Sequence, residues 1–180
     1  NITMSTNQRG LFTRAGNGAV FKNVGMRDVH LNAQNCAALV YTVDGKNITF
    51  DNINIEVSSV SSSTLYSGGL FALFLNGNAV ISNSIIEVYG LAQSNTIKKN
   101  NGAVVGRCNG NLEFVDCYVI TDGYVCSLMS HQYNTKYETI NAMANKYASK
   151  AAFADAYEQN GLSFDGFGAF WNMSLEIPQI

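Results

Sequence analysis

A segment of about 30 residues occurs four times in this chain, and this repeat constrains the fold more than any other feature. Each copy begins with a short run of apolar residues led by Gly or Ala, followed by a turn that contains Gly and Asn. A strand-like stretch with an aligned Asn or Asp follows the turn. Aligned on that polar residue, successive copies are offset by 29, 31 and 33 residues. Repeats of this length are typical of solenoids, in which each unit buries its apolar face against its neighbours. The aligned residues are Asn23, Asn52, Asn83 and Asp116.

Apolar residues alternate with polar ones inside each copy, as in Ile53, Ile55 and Val57, and this is strand periodicity. Such strands suit either an antiparallel sandwich or a parallel solenoid, in which equivalent residues stack about 4.8 Å apart. The solenoid accounts for more of the sequence pattern, because like residues of successive repeats then stack in columns. Connections between parallel strands are right-handed, and this sets the hand of the coil. We predict an all-β fold, a right-handed parallel β-helix of about four to five coils. The expected columns are Phe21/Phe50/Phe114, Leu11/Ala38/Leu70/Ala103 and Asn23/Asn52/Asn83.

The whole chain, residues 1–180, is interpreted as a single β-helix domain. It opens on Asn1 and not on Met, so we expect a piece of a longer multidomain chain, with upstream coils or a partner covering its N-terminal face. The coils are expected at about residues 10–36, 37–68, 69–101 and 102–130, and a C-terminal cap at about residues 135–180.

The segment after the repeats is expected to form that cap. Ser149 is a good N-cap for a short helix, Lys150–Asn160, and an aromatic tail follows it. Because a stack of strands leaves unpaired backbone groups at its end, we expect this segment to cover the last coil. The side chains expected to close its apolar interior are Phe153, Tyr157, Phe167 and Trp171.

The composition argues against some classes of binding partner. The net charge is −2 and the pI is near 5.6, which argues against nucleic acid or an anionic membrane as a partner, since both need a basic surface. No apolar stretch reaches the length of a membrane span, so no membrane insertion is expected within this segment. Only 13% of residues are charged, against about 25% in an average domain, so Asn, Ser, Thr and Gly must supply the solubility.

The four cysteines allow two interpretations of their redox state. They could form two disulfides in three connectivities, or remain reduced in the core. Cys117 falls in the same register as Ile53, a predicted core position, so we predict four reduced and mostly buried thiols. Their spacings match no zinc pattern, and neither His30 nor His131 stands at ligand spacing from a cysteine. We therefore predict no metal and no cofactor. The four are Cys36, Cys108, Cys117 and Cys126.

Two stretches of repeat, GGLFALFLNGNAVISNSIIEVYG and GAVVGRCNGNLEFVDCYVIT, resemble the GLUG-type repeats of bacterial surface proteins. The tail YASKAAFADAYEQNGLSFDGFGAFWNMSLEIPQI is similar to the closing segment of β-helix proteins of gut bacteria. The chain departs from the repeat pattern at Ala37, where the opening Gly is missing, and after Tyr124. The resemblance implies an extracellular or cell-surface location, often within a longer multidomain chain. It carries over no defined activity.

β-Helices also include polysaccharide-cleaving enzymes, which have recognisable catalytic stretches. The chain lacks the Asn-Thr-Asp, Asp-Asp, Gly-His-Gly and Arg-Ile-Lys stretches of polygalacturonases, and no compact carboxylate cluster could hold the calcium of a pectate lyase. The best carboxylate pair is Glu56 with Glu87, one coil apart, with Arg27 one coil earlier. Two stacked Glu would lie roughly 5 Å apart, as in a retaining glycosidase. We expect them instead to be solvated groups on an outward column, and the chain not to be an enzyme.

Tyrosines near loops or at outward strand positions are candidate glycan contacts, because aromatic faces stack on sugar rings. Two functions are therefore considered. The first is a non-catalytic structural or adhesion module of a bacterial cell surface, such as a stalk or ligand-presenting β-helix, with a glycan or a host surface protein as partner. The alternative is a carbohydrate-binding or polysaccharide-cleaving β-helix. The candidate tyrosines are Tyr66, Tyr89, Tyr118 and Tyr124.

Overall fold

The computed structural model of the chain describes residues 2–61, 66–91, 100–126 and 145–160. These residues form a parallel β-solenoid of about four turns, so the predicted β-helix is confirmed. The elements are β1 (Ile2–Met4), β2 (Phe12–Ala15), β3 (Val20–Leu31), β4 (Asn35–Ala37), β5 (Val40–Val60), β6 (Tyr66–Gly68), β7 (Phe71–Val88), β8 (Asn100–Gly102), β9 (Val105–Cys108), β10 (Asn111–Thr121), β11 (Asn145–Tyr147) and the helix α1 (Lys150–Asn160).

Two parallel sheets run along the stack. The larger has the order β1-β3-β5-β7-β10-β11, with β2 also paired to β5 and β9 to β7. The smaller sheet has the order β4-β6-β8. Every pairing among the described strands is parallel, and neighbours come from successive coils, which excludes the antiparallel sandwich.

The polar residue that aligns the repeats marks a corner in each coil. Asn23, Asn52, Asn83 and Asp116 all have φ between 50° and 57°. This left-handed conformation is costly for most L-residues and is tolerated by Asn and Asp, whose short side chains form local hydrogen bonds. The amide Nδ2 of Asn52 donates to Oδ1 of Asn23 at 2.6 Å, so the expected Asn ladder is confirmed for this pair.

The aromatic column lies inside the stack as predicted. Phe21, Phe50 and Phe114 share one register position, with Ile81 between the last two. The rings of Phe21 and Phe50 are parallel, with centroids 4.9 Å apart. Phe50 is fully buried, and Phe21 and Phe114 are partly buried and packed against the same core.

The other apolar column was predicted one residue out of register. Phe12 pairs with Val40, which pairs with Phe71, so Leu11 stacks with Leu39 and Leu70, and not with Ala38. Ala38 shares its position with Gly69 and Ala103. The residues at this position are small, and at Gly69 even a Cβ would collide with the carbonyl oxygen of Ala103. The predicted column therefore mixed two adjacent positions.

All four cysteines are free and buried, which confirms the prediction of reduced core thiols. Burial raises the pKa of Cys36 to about 11 and that of Cys117 to about 12. Since the thiolate is the reactive form of cysteine, both groups are inert at neutral pH. Cys117 lies opposite Ser84, whose hydroxyl accepts a hydrogen bond from the backbone N–H of Ile53, so the predicted register is confirmed.

Helix α1 begins at the predicted N-cap, where Oγ of Ser149 accepts a hydrogen bond from the N–H of Ala152 at 3.1 Å. Phe153 is fully buried, with its ring centroid 5.2 Å from that of Tyr118 and 5.1 Å from that of Tyr147. Tyr118 faces outward, because its neighbours Cys117 and Val119 belong to the inner core.

Phe153 therefore packs on the outer flank of the last two described strands. The prediction that it closes the apolar interior is wrong, because its ring lies against the outward-facing Tyr118 of β10 and against Tyr147 of β11. The side chain of Tyr157 and the residues Phe167 and Trp171 lie outside the described residues. Among the described residues, no helix combines the length and the apolar character that a membrane span requires.

Candidate functional site

The carboxylate pair is aligned by the parallel pairing of β5 and β7, which places Glu56 directly opposite Glu87. Both side chains face outward, since they alternate with buried Ile55 and Val57 and with buried Ile86 and Val88. On β3, the pairing shifts between Met26 and Val29, so Arg27 and Asp28 lie together across from Glu56. Arg27 therefore belongs to a bulge and not to a simple stacked column.

Lys150, the first residue of α1, bridges the two carboxylates. Its Nζ lies 3.0 Å from Oε2 of Glu87 and 3.8 Å from Oε2 of Glu56. Only 7% of the Glu87 side chain is exposed, against 32% for Glu56. The prediction of a solvated pair is thus wrong for Glu87, because α1 packs over this part of the sheet.

Tyr89 supplies a second partner for the buried carboxylate. Its hydroxyl donates a hydrogen bond to Glu87. Burial, followed by this hydrogen bond and the charge of Glu87, raises the pKa of Tyr89 well above its usual value. Tyr89 is therefore a neutral donor at physiological pH, and Glu87 is held by one ammonium and one hydroxyl.

This arrangement can fasten a helix to a sheet. A retaining glycosidase needs two carboxylates roughly 5 Å apart that both face a sugar. Here the ammonium of Lys150 lies between the two groups, and Glu87 is closed off from solvent. One feature of the sequence indicates that Lys150 pairs with a carboxylate. A Lys in the first turn of a helix interacts unfavourably with the helix dipole, so an ion pair is needed to offset this cost.

The four candidate tyrosines do not share one surface. Tyr118 is only 6% exposed, so the prediction that it presents its ring to a ligand is wrong. Its ring is covered by Phe153, and burial raises its pKa. Tyr66 lies in the smaller sheet and is half-buried, as is Tyr89. Tyr124 is half-buried too, and Nζ of Lys146 lies 5.8 Å from its ring centroid.

A second polar cluster was missed at the level of sequence. Nδ1 of His30 lies 2.7 Å from Oγ of Ser59, and Nε2 of His30 lies 3.0 Å from Oδ1 of Asp28. The bulge on β3, where Asp28 has φ 52°, brings the carboxylate to the ring. The sequence spacing indicates this contact, because His30 and Ser59 are separated by 29 residues. This is the offset between the first two repeats, so the two residues lie side by side on successive coils.

Ion pairs on the outward face connect the first two coils. Arg14 pairs with Asp44, and Nζ of Lys22 lies 3.1 Å from Oδ2 of Asp51. Oδ1 of Asp51 also accepts hydrogen bonds from Oγ of Ser82 at 2.9 Å and from Nδ2 of Asn83 at 2.8 Å. Burial acts to raise the pKa of Asp51, but these hydrogen bonds and Lys22 outweigh it and hold the pKa below its ordinary value.

Fold and site together define a parallel β-solenoid whose outward polar side chains pair between successive coils. Within the described ranges, no three His, Cys, Asp or Glu side chains are grouped so as to hold a metal ion. No protein-family model, curated protein or solved structure matches this chain.

Proposed function

We propose that this chain is a non-catalytic structural or adhesion module of a bacterial surface protein, a stalk or ligand-presenting β-helix. One observation carries the proposal: the best carboxylate pair is bridged by Lys150 and serves to hold α1 on the sheet. The cell-surface location, the flanking domains and a glycan or host surface protein as partner belong to the same proposal. They rest on the resemblance to GLUG-type repeats.

The bonds between coils suit a rigid module. Asn52 bonds to Asn23, Ser82 bonds to Asp51, and Arg14 pairs with Asp44, and each contact joins successive coils. Together with the parallel ladders, such contacts make each coil a support for the next, as expected of a solenoid whose stability comes from neighbour interfaces. A module of this kind transmits force or presents a ligand without moving parts.

Reducing-sugar release from plant and host polysaccharides, together with a glycan array, tests the proposal. We expect no hydrolysis by the unmodified protein or by the double variant Glu56→Gln/Glu87→Gln. The matched control is Glu113→Gln, which removes an exposed carboxylate on β10. Hydrolysis that the double variant loses and the control keeps would overturn the proposal in favour of the carbohydrate-active alternative.

One observation favours a second candidate function, the hydrolysis of a small ester at Ser59. His30 is hydrogen-bonded to both Ser59 and Asp28, the order of partners that activates a serine nucleophile. In this reaction Oγ of Ser59 would attack the ester carbonyl while its proton passes to Nδ1 of His30. The alcohol would leave with that proton, and water would then hydrolyse the acyl-serine and restore Ser59.

A fluorophosphonate probe separates this candidate from the first. Labelling of Ser59, lost in His30→Gln and kept in Ser58→Ala, would establish an activated nucleophile. Ser58 is the matched control because it is the adjacent residue and bonds to Glu56, not to His30. A protein that stays unlabelled at Ser59 under these conditions removes the candidate.

A further inference from the structure

The chain contains several copies of a reactive dipeptide, an asparagine followed by a glycine. In such a pair the backbone nitrogen of the glycine can attack the side-chain amide carbon of the asparagine, because glycine has no Cβ to hinder the approach. Four of these pairs lie within the residues that the structure describes, and a fifth, Asn160–Gly161, runs beyond them. The four are Asn17–Gly18, Asn76–Gly77, Asn101–Gly102 and Asn109–Gly110.

The structure holds Asn76–Gly77 in a geometry that favours this attack. The backbone N–H of Gly77 points at Oδ1 of Asn76, with a nitrogen-to-oxygen distance of 3.1 Å. The nitrogen therefore faces the carbonyl group whose carbon it has to attack, and such positioning lowers the barrier of a reaction between two groups. Asn76 is exposed, and both residues border a cleft of about 290 Å³, so water reaches them.

The stacking of the coils fixes the conformation of this turn. Gly77 has φ 101°, a backbone conformation that residues with a side chain rarely adopt. It lies opposite Gly45 of the preceding coil, and a Cβ at Gly77 would collide with the carbonyl oxygen of Gly45. A glycine is therefore required for the stacking of the two turns, and its missing side chain is also what makes the preceding asparagine reactive.

Asn17 borders the same cleft, but Lys46 of the next coil holds both groups that would have to react. Oδ1 of Asn17 accepts a hydrogen bond from the backbone N–H of Lys46 at 2.7 Å, and the N–H of Gly18 donates to the carbonyl oxygen of Lys46 at 2.9 Å. The side chain and the nitrogen are thus bonded to another residue and not directed at each other. Since both asparagines are open to water, hydrogen bonding separates Asn17 from Asn76.

The other two pairs are enclosed by the fold. Asn101 is fully buried, and Gly102, the last residue of β8, is buried with it. Gly110 is buried against Phe74, since a Cβ at Gly110 would collide with the ring, and the N–H of Asn109 donates to the carbonyl oxygen of Phe74 at 2.8 Å. The reaction needs a solvent base and water, so enclosure slows it at both pairs.

We infer that, of these four pairs, Asn76–Gly77 is the one that undergoes spontaneous deamidation in the folded protein. A solvent base takes the proton from the backbone nitrogen of Gly77, and this nitrogen forms a bond to Cγ of Asn76. The bond from Cγ to Nδ2 breaks and Nδ2 leaves as ammonia, so that a cyclic succinimide remains. Water then opens the ring to an aspartate or an isoaspartate at position 76. The inference is independent of the proposed function.

The two products differ in how well the solenoid accommodates them. An aspartate fits in size, because Asp44 already occupies the same position one coil earlier. An isoaspartate carries the chain through the former side chain, so it adds one atom to the backbone of β7 beside the close approach of Gly77 to Gly45. Either product adds a negative charge, and the isoaspartate also disturbs the stacking of the two coils.

The inference is tested on the full chain, incubated at neutral and at mildly alkaline pH. Peptide mass spectrometry follows each Asn–Gly pair, and an isoaspartyl methyltransferase labels isoaspartate. We expect Asn76 to convert at least about tenfold faster than the asparagines of the other three pairs, and faster at the higher pH. In urea, which unfolds the protein, the four asparagines should react at similar rates, because the selectivity comes from the fold.

Two matched variants assign the signal to its residue. Modification at position 76 should proceed in Asn17→Gln as in the unmodified protein and should be lost in Asn76→Gln, because glutamine would have to close a larger ring. Circular dichroism checks that both variants are folded. Equal rates at Asn17 and Asn76 in the folded protein would overturn the inference. Faster conversion at Asn101 or Asn109, or an Asn76 that reacts in urea alone, would overturn it as well.

Discussion

Nδ2 of Asn52 donates a 2.6 Å hydrogen bond to Oδ1 of Asn23, and the two residues have φ values of 56° and 57°. The same side-chain type thus permits the left-handed corner and ties one coil to the next. Both effects depend on a short polar side chain, and Asn or Asp stands at this position in every repeat.

Asn52→Ala should destabilise the protein by about 1–3 kcal/mol, because alanine pays the left-handed penalty and loses the hydrogen bond. Asn52→Gly loses the hydrogen bond alone, since glycine adopts this conformation at no steric cost. Urea unfolding of the two variants measures the difference. Equal losses of stability would show that the backbone conformation contributes nothing.

Phe50→Ala should cost about 3–5 kcal/mol, because it opens a cavity in the middle of the aromatic column. Phe50 is fully buried and contacts the rings of Phe21 and Phe71. Val115→Ala is the control, since Val115 is an exposed apolar residue on β10 and should change the stability by less than about 0.5 kcal/mol. Similar midpoints for both variants in chemical denaturation would contradict the stacked column.

Lys150→Met should destabilise the protein by about 1.5–3 kcal/mol, because Glu87 loses its charged partner while remaining enclosed. Adding Glu87→Gln should restore part of that loss, since a neutral amide needs no counter-charge and still accepts a hydrogen bond from Tyr89. Lys146→Met serves as the exposed control. Thermal melting of the single and double variants checks the prediction, and additive losses would show that Lys150 and Glu87 are not coupled.

Acidification should reveal the contribution of Asp51. Its pKa is lowered in the folded protein, so its stabilising effect is complete above the unfolded pKa, which is about 3.9 for an aspartate. The effect is lost as the pH falls through the folded pKa, because protonation removes the acceptor for Lys22, Ser82 and Asn83. The stability difference between the unmodified protein and Asp51→Asn should therefore shrink below about pH 4. Melting curves between about pH 6 and pH 2.5 measure it, and a difference that does not change with pH would refute this role.

Features that repeat along the chain were predictable from the sequence. The spacing of Asn23, Asn52 and Asn83 predicted coils of about 30 residues, and the alternation around Ile55 predicted strands. Both signals are local and are reinforced by every copy, because in a parallel stack the same position meets the same position of the next coil. The aromatic column around Phe50 and the core position of Cys117 followed from the same register.

Other features depend on contacts that do not repeat, and only the tertiary structure decided them. Leu11 stacks on Leu39, and not on Ala38, because the pairing of Phe12 with Val40 sets the register of the two coils. Glu87 is buried because α1, which follows the last repeat, places Lys150 over it. His30 meets Asp28 because a bulge interrupts the pairing of β3. A repeat determines how coils stack, whereas bulges and the packing of a segment outside the repeat depend on long-range contacts.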